Sequence, residues 1–117
     1  MRGLTKWCTV AVAVVPACFM AAPAQGGYHS GNSLLDECNA RYPDRAVRIM
    51  QEGVCTAYIT GVTDSLENAR QFCLTAGVQQ TQQIDVVKNY LRAHPETRHY
   101  VAAPLVSEAL KEKFPCN

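Results

Sequence analysis

The chain has 117 residues, with 11 Lys and Arg against 10 Asp and Glu, and six cysteines. That length holds one small domain, which excludes a two-domain enzyme, a transmembrane bundle or a large cofactor-binding fold. Net charge is +1, the basic residues are scattered and no aromatics interleave with them, so neither the phosphate-binding stripe nor the stacking platform of a nucleic-acid binder is present.

In chain order the first feature is a leader. Arg2 and Lys6 precede an apolar run from Trp7 to Met20, and the small residues Ala22-Pro23-Ala24 follow, the pattern of a secretory signal over residues 1–24 cleaved before Gln25. The apolar run is about 14 residues long and carries Pro16, short of the roughly 20 that cross a membrane, so no anchor is expected after cleavage. Val15-Pro16-Ala17-Cys18 only loosely resembles a lipoprotein box, and lipidation is the minor alternative. Cleavage leaves 93 residues, removes Arg2 and Lys6 to bring the balance to −1, and removes Cys8 and Cys18. Cys38, Cys55, Cys73 and Cys116 remain, and an even count in a small exported domain implies disulfides.

Residues 25–32, rich in Gly and Ser, read as a mobile tail ahead of a domain over 33–117. Ser33 can cap a first helix that carries Asp36 and Glu37 in its first turn and stops near Tyr42, before Pro43-Asp44. Arg45 to Glu52 fits either a helical turn or a loop. A second helix is predicted over Val54 to Phe72, because Cys55, Ile59, Val62, Leu66 and Ala69 recur at spacings of three and four. Gly61 in its middle marks either a close backbone approach or a tolerated surface glycine. Gly77 suits a left-handed exit, and Val78 to Gln83 reads as a polar connection. Ile84, Val87 and Leu91 form a third stripe that His94-Pro95 ends, and Pro95 can open the next helix. Tyr100, Val101, Leu105, Ala109 and Leu110 form a fourth, kinked or restarted at Pro104.

Alternating strand patterns are lacking, so the fold class is all-α, a small four-helix bundle-like domain. Such a bundle buries little apolar surface, and covalent staples or a dimer interface would supplement it. Four cysteines allow three pairings, and the sequence does not decide among them. Antiparallel packing of consecutive helices favours Cys38 with Cys55 and Cys73 with Cys116, since each pair then lies abreast.

Catalytic constellations are missing: there is no Cys-x-x-Cys, His-Glu-x-x-His, glycine-rich phosphate loop or Gly-x-Ser-x-Gly elbow. His94 and His99, five residues apart, fall on different helix faces and make a poor metal pair; surface or capping roles suit them better. Asp64 is either a buried acid or a solvated helix residue, and Glu96 and Arg98 are expected to pair locally or to cap. The expectation is a binding protein without enzymatic activity, cofactor or metal. Two segments could protrude toward a partner: Ala76 to Gln83, offering Gln79, Gln80, Gln82 and Gln83, and His94 to His99, stiffened by Pro95 and offering His94, Glu96, Arg98 and His99.

Three blocks carry a resemblance. Cys55-Thr56-Ala57-Tyr58-Ile59-Thr60-Gly61-Val62-Thr63-Asp64 is similar to the C-x-G/A-Y-I-x-G-x-x-D helix of the Rap/Tai immunity family. Val86 to Arg98 resembles its V-V-x-x-Y-L-x-x-H-P-E-x-R stretch, and Leu105 to Leu110 with Phe114-Pro115-Cys116 resembles its ending. Pro104 departs from the pattern, and the region before Cys55 matches only at Cys38. The resemblance implies a periplasmic, disulfide-bonded helical protein that often dimerises and plugs the active-site cleft of a cognate type VI secreted peptidoglycan amidase. The contrasting expectation is a periplasmic housekeeping or acid-stress chaperone, recognisable by suppression of client aggregation at low pH.

Overall fold

Ser30 starts the first helix, because its Oγ accepts the backbone N–H of Ser33 at 3.2 Å. The computed structural model describes residues 29–117; the leader and residues 25–28 of the Gly/Ser-rich segment lie outside the described residues. Helix α1 spans Gly31–Asn39. The cap is therefore Ser30, not Ser33, and His29 to Asn32 are part of the fold, not the end of a mobile tail. The reason is long-range. The unpaired N–H groups of the first turn find carbonyls far along the chain, Gly31 at Tyr100 (2.9 Å) and Asn32 at Arg98 (2.8 Å), while Ala102 N–H reaches back to His29 O at 2.7 Å. Gly31 is buried, and a Cβ there would lie 2.6 Å from Leu105 Cδ1 and 2.9 Å from the Arg98 carbonyl oxygen. Gly31→Ala is expected to destabilise the domain by about 1–3 kcal/mol, read as a lower urea midpoint, since the backbone carbonyl cannot yield as a side chain can.

Ala40, with φ 47, turns the chain out of α1 two residues before Tyr42. Asp44 then caps α2, Arg45–Asn68, its carboxylate accepting Val47 N–H at 3.1 Å. The Arg45 to Glu52 stretch is thus the first two turns of the longest helix. Cys55, Ile59 and Thr63 are buried along one side, with Val62 and Leu66 half-buried beside them. Gly61 is exposed and a Cβ there would meet nothing within 4 Å, so it is the surface glycine of the two alternatives.

The helix stops at Asn68, four residues short of Phe72. Arg70 takes the left-handed conformation (φ 52), Arg70 N–H returns to Glu67 O and Gln71 N–H to Leu66 O. That paired return is a Schellman exit, with arginine where glycine is usual. It swings Phe72 into the core, where it is fully buried. Gly77 (φ 91) serves a separate turn, closed by Val78 N–H to Thr75 O.

Helix α3 spans Gln80–Ala93, so most of the glutamine-rich segment expected as a connection is its first turn. The Gln82 side chain accepts Gln79 N–H at 2.6 Å and closes that end. His94-Pro95 ends α3 as expected. Pro95 does not open another helix; turns run to Tyr100, with Thr97 N–H on His94 O and Tyr100 N–H on Thr97 O. Helix α4 is Ala102–Lys113. Pro104 falls in its first turn, where its missing N–H has no intrahelical partner to lose, so it neither kinks nor restarts the helix. Tyr100 and Val101 stay outside it and exposed.

The four helices form two hairpins, α1 with α2 and α3 with α4, stacked so that every helix touches every other. Leu34, Ile59, Phe72, Val87, Leu91, Val106 and Leu110 fill the space between them with no measurable exposure. The bridges are Cys38–Cys55 and Cys73–Cys116, each with Cα atoms 4.9 Å apart. The all-α class and the favoured pairing both hold.

Candidate partner-binding surface

The polar residues singled out in the sequence lie on α3 and its ends. At the N-terminal end, Gln79, Gln80 and Gln82 are exposed and Gln83 is half-buried. Gln80 Nε2 donates to Thr60 Oγ1 and so ties this end to the middle of α2. At the C-terminal end, the His94 ring stacks on Tyr90 with centroids 4.0 Å apart, and its Nδ1 lies 2.8 Å from the Tyr90 carbonyl oxygen. That contact places an imidazole over the helix's last carbonyls, a capping position. Glu96 and His99 are exposed, and the His99 ring leans on Tyr100 at 4.1 Å.

Arg98 is half-buried, with a carbonyl that accepts from Asn32 and an Nε that finds no partner. It does not pair with Glu96: the ion pairs of the described residues are Lys111–Glu108 and Lys113–Glu112, both exposed and therefore weak contributors to stability. The two candidate segments do not form one patch. They sit at opposite ends of a 14-residue helix, about 20 Å apart.

The His94–His99 end is the more constrained of the two. Successive turns fix its backbone, the first turn of α1 is hydrogen-bonded to its far side, and Pro95 removes one torsion. Burial pushes the Tyr90 phenol above its usual range, helped by the carboxylates of Glu108, Glu112 and Glu96. Tyr58 is pushed the same way by burial, against a lowering hydrogen bond from the Ala103 backbone, and packs edge-on to His29 at 5.2 Å. Both phenols therefore remain neutral donors at physiological pH.

Asp64 is exposed on α2 at the rim of a shallow cleft shared with Thr60, Gly61 and Gln80, which is the solvated reading of that residue. Among the described residues, no three His, Cys, Asp or Glu side chains converge to hold a metal, and no helix is long and apolar enough to cross a membrane. Sequence reasoning missed Ile49 and Met50, 58% and 68% exposed on the outer side of α2. Their signal was present, because the helical pattern from Val54 can be extended backwards through both.

A bundle stapled at two places, with polar groups at its exposed ends and an uncovered helix face, defines a small disulfide-bonded helical domain. The chain belongs to a family of such domains: the family of Rap1a immunity proteins matches residues 30–116, the whole four-helix unit. No curated protein matches the chain.

Proposed function

We propose that this immunity protein is exported to the periplasm and neutralises a type VI secreted peptidoglycan amidase by occluding its active-site cleft, acting as a homodimer. The observation that carries the reading is the family match over the entire described bundle. Two disulfides in so short a chain fit an oxidising compartment. A hydrolase cleft open to an extended glycan-peptide is blocked by a protruding segment that loses little freedom on entering it. The restraint of the His94–His99 turn by Pro95, by the His94–Tyr90 stack and by its bonds to α1 supports it as such a segment.

Calorimetry of the mature chain against the amidase encoded beside its gene tests this. Wild type is expected to bind at nanomolar concentration, Glu96→Lys combined with His99→Asp to weaken binding at least about tenfold, and Gln79→Ala with Gln82→Ala to change it by less than about twofold. Absence of binding at micromolar concentration rejects the immunity reading for that effector. Loss confined to the glutamine variant moves the contact to the other end of α3.

A further inference from the structure

Helices α3 and α4 pack along their buried stripes but leave a recess on one flank. Val86, Tyr90 and Ala93 recur at spacings of four and three on α3, Ala109 and Glu112 are three apart on α4, and the two stripes line a cavity of about 250 Å³. The space is open because Ala93 and Ala109 present only methyl groups to it. His94 also lines it, so the recess adjoins the His94–His99 turn. Its volume lies below the roughly 300–1,000 Å³ of a small-molecule site and suits one long side chain.

Chemistry narrows which side chain that is. Val86, Ala93 and Ala109 give apolar walls, and Glu112 stands exposed at the rim. The Tyr90 phenol is raised first by burial and then by Glu108, Glu112 and Glu96, so the field of three carboxylates reaches the recess. The C-terminal end of α3 adds the negative end of its dipole. Lys111 and Lys113 hold Glu108 and Glu112 at 3.3 Å in exposed pairs, which give way with little loss. Arg92 is engaged elsewhere, by the amide oxygens of Asn39 at 3.0 Å and Asn89 at 3.4 Å. An apolar occupant would strip water from the Glu112 carboxylate and offer it no hydrogen bond, and an acidic one would meet three like charges.

We propose that the recess is a socket for one basic side chain, lysine or arginine, carried by the effector on the rim of its cleft. The aliphatic stem lies between Val86, Ala93 and Ala109, and the cation reaches the Tyr90 hydroxyl and the Glu112 carboxylate, where it takes the place of Lys113. The socket rests on the effector reading above and deepens it: the His94–His99 turn enters the cleft, and a charged anchor beside it fixes the register of the turn.

Nuclear magnetic resonance of the mature chain, titrated with Nα-acetyl-argininamide and Nα-acetyl-lysinamide, tests the socket without the effector. Saturable shifts of the Tyr90, Ala93 and Ala109 amides are expected at about millimolar probe, the affinity of a fragment. Nα-acetyl-leucinamide is expected to bind at least about fivefold more weakly. Ala93→Leu, which fills the recess from an exposed position with a good helix former, is expected to abolish the shifts while the urea midpoint stays unchanged. Glu112→Gln is expected to weaken the cationic probes about threefold and to reduce their salt dependence. Absent shifts, equal binding of the leucine probe, or shifts that persist in Ala93→Leu overturn the socket. Calorimetry against the effector then reads the two proposals apart. The socket expects Ala93→Leu to weaken effector binding at least about tenfold. Equal affinity of wild type and Ala93→Leu rejects the socket and leaves the immunity reading intact. A wild type that takes the cationic probes yet does not bind the effector supports the socket and rejects the immunity reading for that effector.

Discussion

Replacing Cys73 and Cys116 together by alanine is expected to lower the unfolding free energy by about 4 kcal/mol, the largest effect of any covalent change in the chain. The bridge closes a loop of 43 residues, and on chain-entropy grounds a loop of that size removes about 4 kcal/mol of freedom from the unfolded chain. Cys38–Cys55 closes 17 residues and is worth about 3 kcal/mol on the same reasoning. Small domains hold only about 5–15 kcal/mol in total, so either loss is a large fraction of what is there. The longer bridge also ties the exit of α2 to the end of α4, where Cys73 N–H donates to Phe114 O at 2.9 Å. Without it both Phe72 and the last turn of α4 lose their tether. Exposure separates the two bridges further: Cys73 and Cys116 are exposed, whereas Cys38 and Cys55 are 9% and 3% accessible. Mild reductant should therefore open Cys73–Cys116 first. Urea unfolding of each double-alanine variant, with mass-spectrometric counting of free thiols during reduction, checks both statements. A smaller loss for the longer loop would show that native-state strain, not loop closure, sets the order.

Stability of this kind matters for function because immunity must be present before the toxin arrives. Proteolysis in the cell follows the unfolded fraction, and a change of 1–2 kcal/mol can alter abundance several-fold. The bridges therefore act on abundance by keeping the chain folded.

Local pattern made much of this architecture legible. The stripes Cys55-Ile59-Val62-Leu66 and Ile84-Val87-Leu91 are core-facing, and His94-Pro95 ends α3 because the residue before proline is forced out of the helical region. Antiparallel packing of consecutive helices favoured the disulfide pairing that the fold contains, Cys38–Cys55 and Cys73–Cys116. What local pattern could not show depended on distant groups. Ser30 starts α1 because Arg98 and Tyr100 offer carbonyls to Gly31 and Asn32 across more than 60 residues of chain. Arg70 ends α2 in a conformation its residue type disfavours, and Gly77 misled by being the better candidate nearby. The candidate surface was legible as residues but not as a place. Gln79 to Gln83 and His94 to His99 are both accessible in part, yet the early start of α3 at Gln80 puts the whole helix between them.

Phe72→Ala is expected to cost about 3–5 kcal/mol, comparable to losing the longer bridge, although Phe72 belongs to no helix. It is the largest fully buried side chain in the described structure and stands beside Cys73, in the connection that leaves α2. Truncation removes its transfer energy and leaves a cavity in the buried cluster it shares with Ile59 of α2, Val87 and Leu91 of α3 and Val106 and Leu110 of α4, side chains held by three helices and therefore slow to collapse inward. A conventional Leu66→Ala change on the half-buried stripe should cost less, because that residue still touches solvent. Chemical denaturation with intact disulfides separates the two. If the connection carrying Phe72 were a passive linker, the loss would fall below about 1 kcal/mol, the level of ordinary surface substitutions and milder core changes. A loss in the expected range shows that the connection leaving α2 after the left-handed Arg70 is part of the core and not a linker.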